Sequence, residues 1–534
     1  MERVNVLLVG GGGREHALAM KLRTSKRLGE LWTTHPQNPG LAAIAKAVDV
    51  PVSIREIYRL QQFCESKKIG LVVVGPEDPL AEGFADKLAT ETTLVFGPTQ
   101  AGAMIEADKA WCKQLLRSAA IPTGESRTVT DAESALSYIE SRLRDDESLR
   151  TILGDPREFA APEDKRRFVM QQLAAHIGKL GTRLPPELSA SVRASAAITC
   201  AALASSTYRD PEDRRRAMNE YVRTDPLVAS AYKTKVVGLP VIKASGLAKG
   251  KGVILPSTME EAVKAVDDIM VRKVFGDAGN TVVLEERLSG PEVSVLAITD
   301  GRSILVLPPC QDHKRLGDGD TGPNTGGMGA FCPSGTIDST LMSKVEREVL
   351  VPVVDALKRE GVDYKGVLYA GLMLTPSGPK VLEFNARFGD PECQPLMARL
   401  KSDLLELLLA TCKGQLDRVK VEWDSRHACT IVIAAKGYPD KPVMGTVIEG
   451  IDEAEQVADV KVQHAGTKRE GADIVTAGGR VLSITAVGTD LEDARTKAYK
   501  AAEMIRFEGR QLRHDIGVSE TKTGKQRQTA LKSS

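Results

Sequence analysis

The chain has 534 residues, of which 42% are hydrophobic and 27% charged, with a formal net charge of +1 at pH 7. That length accommodates about three domains of ordinary size, and the near-neutral charge argues against wholesale nucleic-acid binding. No apolar run approaches the ~20 residues of a membrane span. The eight cysteines (Cys64, Cys112, Cys200, Cys310, Cys332, Cys393, Cys412 and Cys429) form no C-x-x-C pair and no zinc spacing. With nothing that reads as a signal peptide, reduced thiols in a cytoplasmic protein are expected.

In chain order, Val4–Val9 is a continuous apolar run that fits a buried parallel strand. Gly10-Gly11-Gly12-Gly13 follows, then a helix to about Leu22; a strand, a glycine turn and a helix N-terminus together make an anion site. The spacing argues against a dinucleotide fold. A G-x-G-x-x-G motif from Gly10 requires glycine where Glu15 stands, and the strand near Leu31–Thr34 ends without a ribose-binding acid. Leu71–Val74 ends in Gly75-Pro76-Glu77-Asp78 and Leu94–Phe96 in Gly97-Pro98. Asn38 and Glu77 thus follow strand ends, where open α/β sheets place ligands, although ordinary turn chemistry explains each equally well.

Asp108-Lys109 opens a helix to Ala120, and Asp131–Leu143 reads as another. The next strand is delayed to Leu239–Lys243. Between them, 142–235 reads as a mainly helical insertion, with Phe168, Val169, Leu173, Ile177 and Leu180 at helical spacing. Its Arg214-Arg215-Arg216 run reads as a solvated face. Lys243 leads into Gly246-Leu247-Ala248-Lys249-Gly250-Lys251-Gly252 and a further apolar run, Val253–Leu255. Strand, glycine-lysine loop and strand suit a flap over phosphates; this is not a Walker A loop, which needs G-K-[ST] and a following helix. Thr281–Leu284 is a strand that ends in Glu285-Glu286, with Glu292 just beyond.

The stretch Gln311–Gly329 follows a strand-like run, Ser303–Pro309. Six of its nineteen residues are glycine and three are aspartate. It has no apolar periodicity and is expected to be a structureless loop that wraps a charged small molecule, the bland alternative being a linker. Gly366–Leu374 and Lys380–Phe384 form a hairpin pattern. Alternation puts Glu383, Asn385 and Arg387 on one face, and two oxygen ligands beside a guanidinium suit Mg²⁺ on a polyphosphate. From about 425 a smaller domain begins, with strands at Thr430–Ala435, Val462–His464 and Val481–Val487 and a helix at Leu491–Ile505. The basic, polar residues after Gly517 read as a disordered tail.

Gly-Gly-Arg-Glu-His at 12–16, QDHKR…DTGPNTGGMG at 311–329 and EFNARFGDPE at 383–392 together resemble the phosphoribosylamine–glycine ligase family of the ATP-grasp superfamily. The resemblance covers roughly 1–141 and 236–517. It implies an α/β architecture: an N-terminal doubly wound α/β substrate domain (1–101) and an ATP-grasp core of two α+β lobes (102–424). A small C-terminal α/β domain (425–517) and the tail (518–534) follow. The flap lobe, about 123–285, carries the helical insertion.

It also implies ATP-dependent joining of glycine to 5-phosphoribosylamine through glycyl phosphate in purine synthesis, with Mg²⁺ or Mn²⁺ held by Glu383 and Asn385. Lys109, Lys243, Gly246, Lys249, Gly250, Lys251 and Gly252 would serve the ATP phosphates. Glu285, Glu286 and Leu288 would serve adenine, and Glu292 the ribose. Arg387, with Asp312 and Asn324, would be catalytic. Gly12, Gly13, Arg14, Glu15, Asn38, Pro76, Glu77, Lys314, Gly327, Met328, Gly389 and Asp390 would bind the other substrates. ATP, glycine and phosphoribosylamine are the expected partners, with no nucleic acid and no membrane; a monomer or weak dimer is expected, and the insertion offers a place for a protein partner. Ser245 and Gln37 depart from the family pattern, where aspartate and glycine are usual. Another ATP-grasp ligase, or a scaffold on an inactive frame, is the alternative.

Overall fold

The computed structural model describes residues 3–144, 238–248 and 251–518. The segment read as a helical insertion from 145 onward, Lys249, Gly250 and the tail beyond 518 lie outside the described residues. The chain divides into two units, Met1–Thr123 with Ser289–Ser534, and Gly124–Leu288.

The first unit begins with a parallel sheet: β1 (Val4–Val9), β2 (Leu28–Thr33), β3 (Lys46–Ala47), β4 (Ile69–Val74) and β5 (Leu94–Phe96), in the order β3-β2-β1-β4-β5. The apolar runs are long because both faces are covered; Val6, Leu7, Leu8, Leu71, Val72 and Val73 are essentially inaccessible. Strand order reverses at β1, so the turns after β1 and β4 open at a topological switch point. Gly10–Gly13 and Gly75-Pro76-Glu77 stand there.

The second unit is an antiparallel sheet of β6 (Ser126–Val129), β7 (Val241–Ala244), β8 (Val253–Ile254) and β9 (Val282–Glu285), in the order β6-β9-β7-β8. Val129, Ile242, Val282 and Leu284 pack with Ala135, Ile139, Met259 and Ala262 of two helices. The second of these, Met259–Val266, is N-capped by the Thr258 hydroxyl.

Back in the first unit, β10 (Glu292–Thr299) and β11 (Ile304–Val306) lead to four short strands, β12 (Gln311–Asp312), β13 (Arg315–Gly317), β14 (Thr321–Asn324) and β15 (Gly329–Cys332). The structureless loop expected at 311–329 is therefore mostly ordered ribbon. β13 and β14 form a hairpin, and β12 and β15 join a C-terminal sheet. β16 (Gly366–Thr375) and β17 (Gly378–Asn385) complete an antiparallel sheet ordered β11-β10-β16-β17. Its pleat divides two cores: Leu296, Ile298, Val367 and Tyr369 face one, whereas Val295, Ala297, Leu368 and Ala370 face the other. Each fully buried Val, Leu or Ile among them contributes roughly 1.5–3 kcal/mol, which pins the register that aims Glu383 and Asn385.

The C-terminal sheet is built from β18 (His427–Ala434), β19 (Val460–His464) and β22 (Arg480–Gly488), with β20 (Thr467–Glu470) and β21 (Asp473–Thr476) as a separate hairpin. Its order, β12-β15-β18-β22-β19, takes in β12 from the start of the glycine-rich stretch and β15, which begins at its last residue. That stretch is thereby fixed to the C-terminal sheet.

Candidate active site

The strand β17 stops at Asn385, so Arg387 lies in the turn beyond it instead of continuing the alternation. There its guanidinium is held from two sides. Nη2 lies 2.8 Å from Glu106, in the helix Gln100–Ala107, and Nε donates to Glu77 Oε2 at 3.1 Å. Glu106 also accepts from the Ala386 amide at 2.7 Å. Burial alone would raise the Glu77 carboxyl, but Arg387 and Arg14 outweigh it and hold it down at about 2. Glu106 is buried more deeply, and there desolvation prevails over Arg387 and moves its carboxyl upward. Nη2 of Arg387 also reaches Asn385 Oδ1 at 3.3 Å. Arg387 thus connects the end of β17 to the turn after β4.

Glu383 sits opposite Gly371 of β16, so no side chain screens it on that strand. The ammonium of Lys314 lies 3.7 Å from Glu383 and 3.3 Å from Glu292 across the sheet. Burial disfavours that ammonium, yet Glu292, Glu383 and Asp312 more than compensate and raise its pKa. A cation is already stabilised between the two carboxylates. The donor set of Glu383 carboxylate and Asn385 carboxamide fits Mg²⁺, which binds through one or two protein oxygens and completes its shell with water and phosphate. Among the described residues no cluster of three or more His, Cys, Asp or Glu forms a self-sufficient metal cage. A metal here would depend on nucleotide oxygens.

Asp312 comes next to this pair from β12. Its Oδ1 is buried without a hydrogen-bond partner. Desolvation first, and then the Glu392 carboxylate, push its carboxyl well above the usual range, against the pull of Lys314 and Arg480. Glu392 itself is fixed by the Tyr369 hydroxyl and by Ser294 Oγ at 3.2 Å. Gly327 has φ +111°, and a Cβ there would lie 2.5 Å from Pro391 Cδ and 2.7 Å from Asp312 Oδ1. Only glycine allows that approach. Met328 is fully buried, so the stretch presents its backbone and not its side chain at this point. Asn324 pairs with Arg315 in the β13–β14 hairpin and is partly exposed.

The glycine turn after β1 differs from the expected open anion cradle. The Gly12 amide donates to Glu15 Oε2 at 2.6 Å, while Glu15 Oε1 accepts from Arg14 Nε at 2.6 Å. Glu15 is thus a buried cap of the helix Gly13–Leu22. Gly13 is buried against Gln394 and Ser483. Arg14 turns inward, with Nη1 donating to the Phe388 carbonyl at 2.9 Å. Asn38, expected among the residues that bind the other substrates, has its polar groups committed inside the fold. Its oxygen caps Gly40 and Leu41, and its Nδ2 donates to Gly11 and His464 carbonyls at 2.8 and 3.0 Å. Pro76 precedes the short helix Glu77–Ala81 and fixes the entry of Glu77. Gly389 is required by Glu392, whose Oε2 would lie 2.3 Å from a Cβ. Asp390, depressed by Arg480 and Arg14 against burial, pairs with Arg480 at 3.1 Å.

Within the second unit, Lys243 and Glu285 form an ion pair of 2.6 Å, both side chains under a tenth exposed. Adjacent strands β7 and β9 bring them together. Gly246 and Gly252 pack against Ala278 and Ala248, while Lys251 is exposed. Glu286 accepts from the Glu125 amide at 3.2 Å, and Ser245 is buried with its amide donating to Thr281 O. Leu288 is partly exposed, and Lys109 is the first residue of the helix Lys109–Ser118, capped by Asp108.

Sequence reasoning missed Glu106, Glu392, Tyr369 and Arg480. Arg480 had a usable signal, since Gly478-Gly479-Arg480 opens a strand much as Gly12-Gly13-Arg14 opens a helix.

Three family models match the chain: Phosphoribosylglycinamide synthetase N domain over residues 4–106, ATP-grasp (A) domain over 213–393 and C domain over 428–519. A phosphoribosylamine–glycine ligase from Rhodopirellula baltica is 42% identical, across 97% of this chain and 98% of that protein. The trifunctional purine biosynthetic protein adenosine-3 of Homo sapiens is 39% identical over 96% of this chain, which spans 41% of that protein. The crystal structure of phosphoribosylamine–glycine ligase from Thermotoga maritima superposes with a TM-score of 0.66 at 27% identity, covering 96% of this chain and all of that one. A biotin carboxylase from Campylobacter jejuni, at 13% identity and a TM-score of 0.59 over 96% of this chain and 93% of that one, shares the ATP-grasp fold alone. The chain belongs to the phosphoribosylamine–glycine ligase family.

Proposed function

We propose that this chain is an ATP-dependent ligase that joins glycine to 5-phosphoribosylamine in purine biosynthesis, giving glycinamide ribonucleotide, ADP and phosphate. The observation that carries the reading is the contact of Lys314 with Glu383 and Glu292, which joins the glycine-rich ribbon and the end of β17 in one site. The near full-length similarity to named ligases supports it.

A carboxylate is a poor electrophile, so glycine must first be activated. Its carboxylate oxygen attacks the γ-phosphorus of ATP, the bond to the bridging oxygen breaks, and ADP leaves. Catalysis of such a transfer is mostly positioning and charge stabilisation. Arg387, held by Glu77 and Glu106, is assigned to the glycine carboxylate and the acyl phosphate. Glu383 and Asn385 are assigned to Mg²⁺ or Mn²⁺, which when bound offsets charge on the phosphates.

The sugar amine then attacks the acyl carbon, the carbonyl re-forms and phosphate departs. Asp312, whose carboxyl is a stronger base than an exposed one, is assigned to take the amine's proton. The ribbon excludes water from two hydrolysable species, glycyl phosphate and phosphoribosylamine. Lys109, Lys243, Lys251 and the flap are assigned to ATP, with Glu292 on its ribose. The proposed setting is a cytoplasmic monomer or weak dimer; among the described residues no helix is long and apolar enough to cross a membrane. ADP release should require ATP, a divalent ion, glycine and freshly generated phosphoribosylamine together. ADP release indifferent to glycine and phosphoribosylamine would exclude this function.

A further inference from the structure

We infer that Arg480, at the start of β22 in the C-terminal sheet, is a positioning residue of the ligase site. It sets the Gly326-Gly327 peptide against the turn that bears Asp390. The inference rests on the ligase reading above and extends it to a domain to which that reading gives no role.

The geometry is a four-way clamp. Nη1 of Arg480 donates to the carbonyls of Gly326 and Asp390 and reaches that of Gly327 at 3.5 Å. Nη2 donates to Asp390 Oδ2 at 3.1 Å. A planar guanidinium can serve acceptors on two segments at once, which a lysine ammonium does with much less directional control. The remaining oxygen of Asp390 accepts from Gln394 at 2.7 Å, so the carboxylate cannot swing away. A second tie comes from the same domain, because the Gly326 amide donates to the Tyr438 hydroxyl at 2.9 Å. Tyr438 is set in turn by Gly479, where a Cβ would lie 2.4 Å from its ring. At Gly326 a Cβ would lie 3.1 Å from the guanidinium carbon, so a side chain there would have to push Arg480 back by a few tenths of an ångström.

Both clamped segments carry groups assigned to the glycine and phosphoribosylamine half of the reaction: Gly327 beside Asp312 on one, Asp390 on the other. None of the residues it clamps is assigned to ATP. A purely architectural arginine would affect all three substrates alike, whereas a positioning one separates them.

The test is steady-state kinetics of R480Q and R480K, varying ATP, glycine and phosphoribosylamine in turn, with thermal melting alongside. R480Q is expected to lose ~10²-fold in kcat/KM for phosphoribosylamine and glycine, as misplacement by about an ångström does, while KM for ATP stays within about twofold. R480K should recover part of that loss. Tyr438→Phe, which removes one tie only, should show a smaller loss for the same two substrates. If R480Q does not fold, R480K and Tyr438→Phe are judged by the same split. Unchanged kinetics, or equal losses for all three substrates, would overturn the inference. A wild-type chain without substrate-dependent ADP release would instead fail the ligase reading itself.

Discussion

Replacing Glu106 by glutamine and by alanine separates two jobs that the structure gives this buried carboxylate. It neutralises Arg387 at 2.8 Å and accepts from the Ala386 amide at 2.7 Å. Removing one member of a buried pair costs ~3–5 kcal/mol when the other charge is left uncompensated. Here Arg387 keeps Glu77 at 3.1 Å, and Glu106 is itself destabilised by burial, so the loss should fall below that range. We expect about 1–3 kcal/mol for E106Q, whose carbonyl can still accept from Ala386. E106A also leaves that amide unpaired and should cost ~1 kcal/mol more. Denaturant unfolding measures both. Because Arg387 loses one of its two anchors, kcat/KM for glycine should fall ~10²-fold in either variant. An E106A protein as stable and as active as the wild type would refute the view that Glu106 positions Arg387.

Lys314→Met should lower kcat/KM by ~10²–10³-fold, the usual cost of a lost electrostatic group, without unfolding a partly exposed site. The same substitution removes the ammonium beside Glu292 and Glu383, so Mn²⁺ should bind more tightly in the presence of ADP; unchanged or weaker binding in a paramagnetic-resonance titration would count against Lys314 as a resident cation. Gly327→Ala should destabilise by about 1–3 kcal/mol through its positive φ and the clash with Pro391 and Asp312, whereas Gly319→Ala, at φ +66° with nothing within 4 Å, should be milder in a melting comparison.

Burial first, and then His464, lowers His16 from 6.5 to about 3; burial and Arg469 lower His464 to about 4. His16 Nδ1 must stay unprotonated to accept from the His464 amide at 2.9 Å. Both folded values lie below the unfolded one, so the unfolded chain binds more protons below pH 6.5. Stability should be full above that pH and fall as pH drops toward 4, by up to ~1.4 kcal/mol per pH unit for each histidine. Urea titrations at pH 7 and pH 5 give this slope directly, and His16→Gln should reduce it; an unaltered slope would exclude His16 as a contributor.

The strands buried on both faces, β1, β4 and β16, were legible as apolar runs, and the helix start at Asp108 follows ordinary capping chemistry. β13, β14 and β15 were not legible. Gly322, Pro323 and Asn324 are poor strand formers, and Gly329–Cys332 becomes a strand because β18 offers it an edge. Tertiary pairing overrides local preference there. Glu15 was read as a substrate contact although a glutamate three residues after Gly12 is the position of a capping acid. Arg387 was found from its motif, but its anchors Glu77 and Glu106 lie hundreds of residues earlier in the sequence, where no spacing rule reaches. Arg480 showed only as the end of a Gly-Gly-Arg triplet, because its clamp exists only once β15 and β22 flank β18.

The most direct test of the account follows oxygen. With glycine labelled by ¹⁸O in its carboxylate, activation as glycyl phosphate places one glycine oxygen on the transferred phosphoryl group. Amide formation then releases phosphate carrying that single ¹⁸O, alongside unlabelled ADP, while the second ¹⁸O stays in the amide carbonyl of glycinamide ribonucleotide. Phosphate free of label while product accumulates would contradict it.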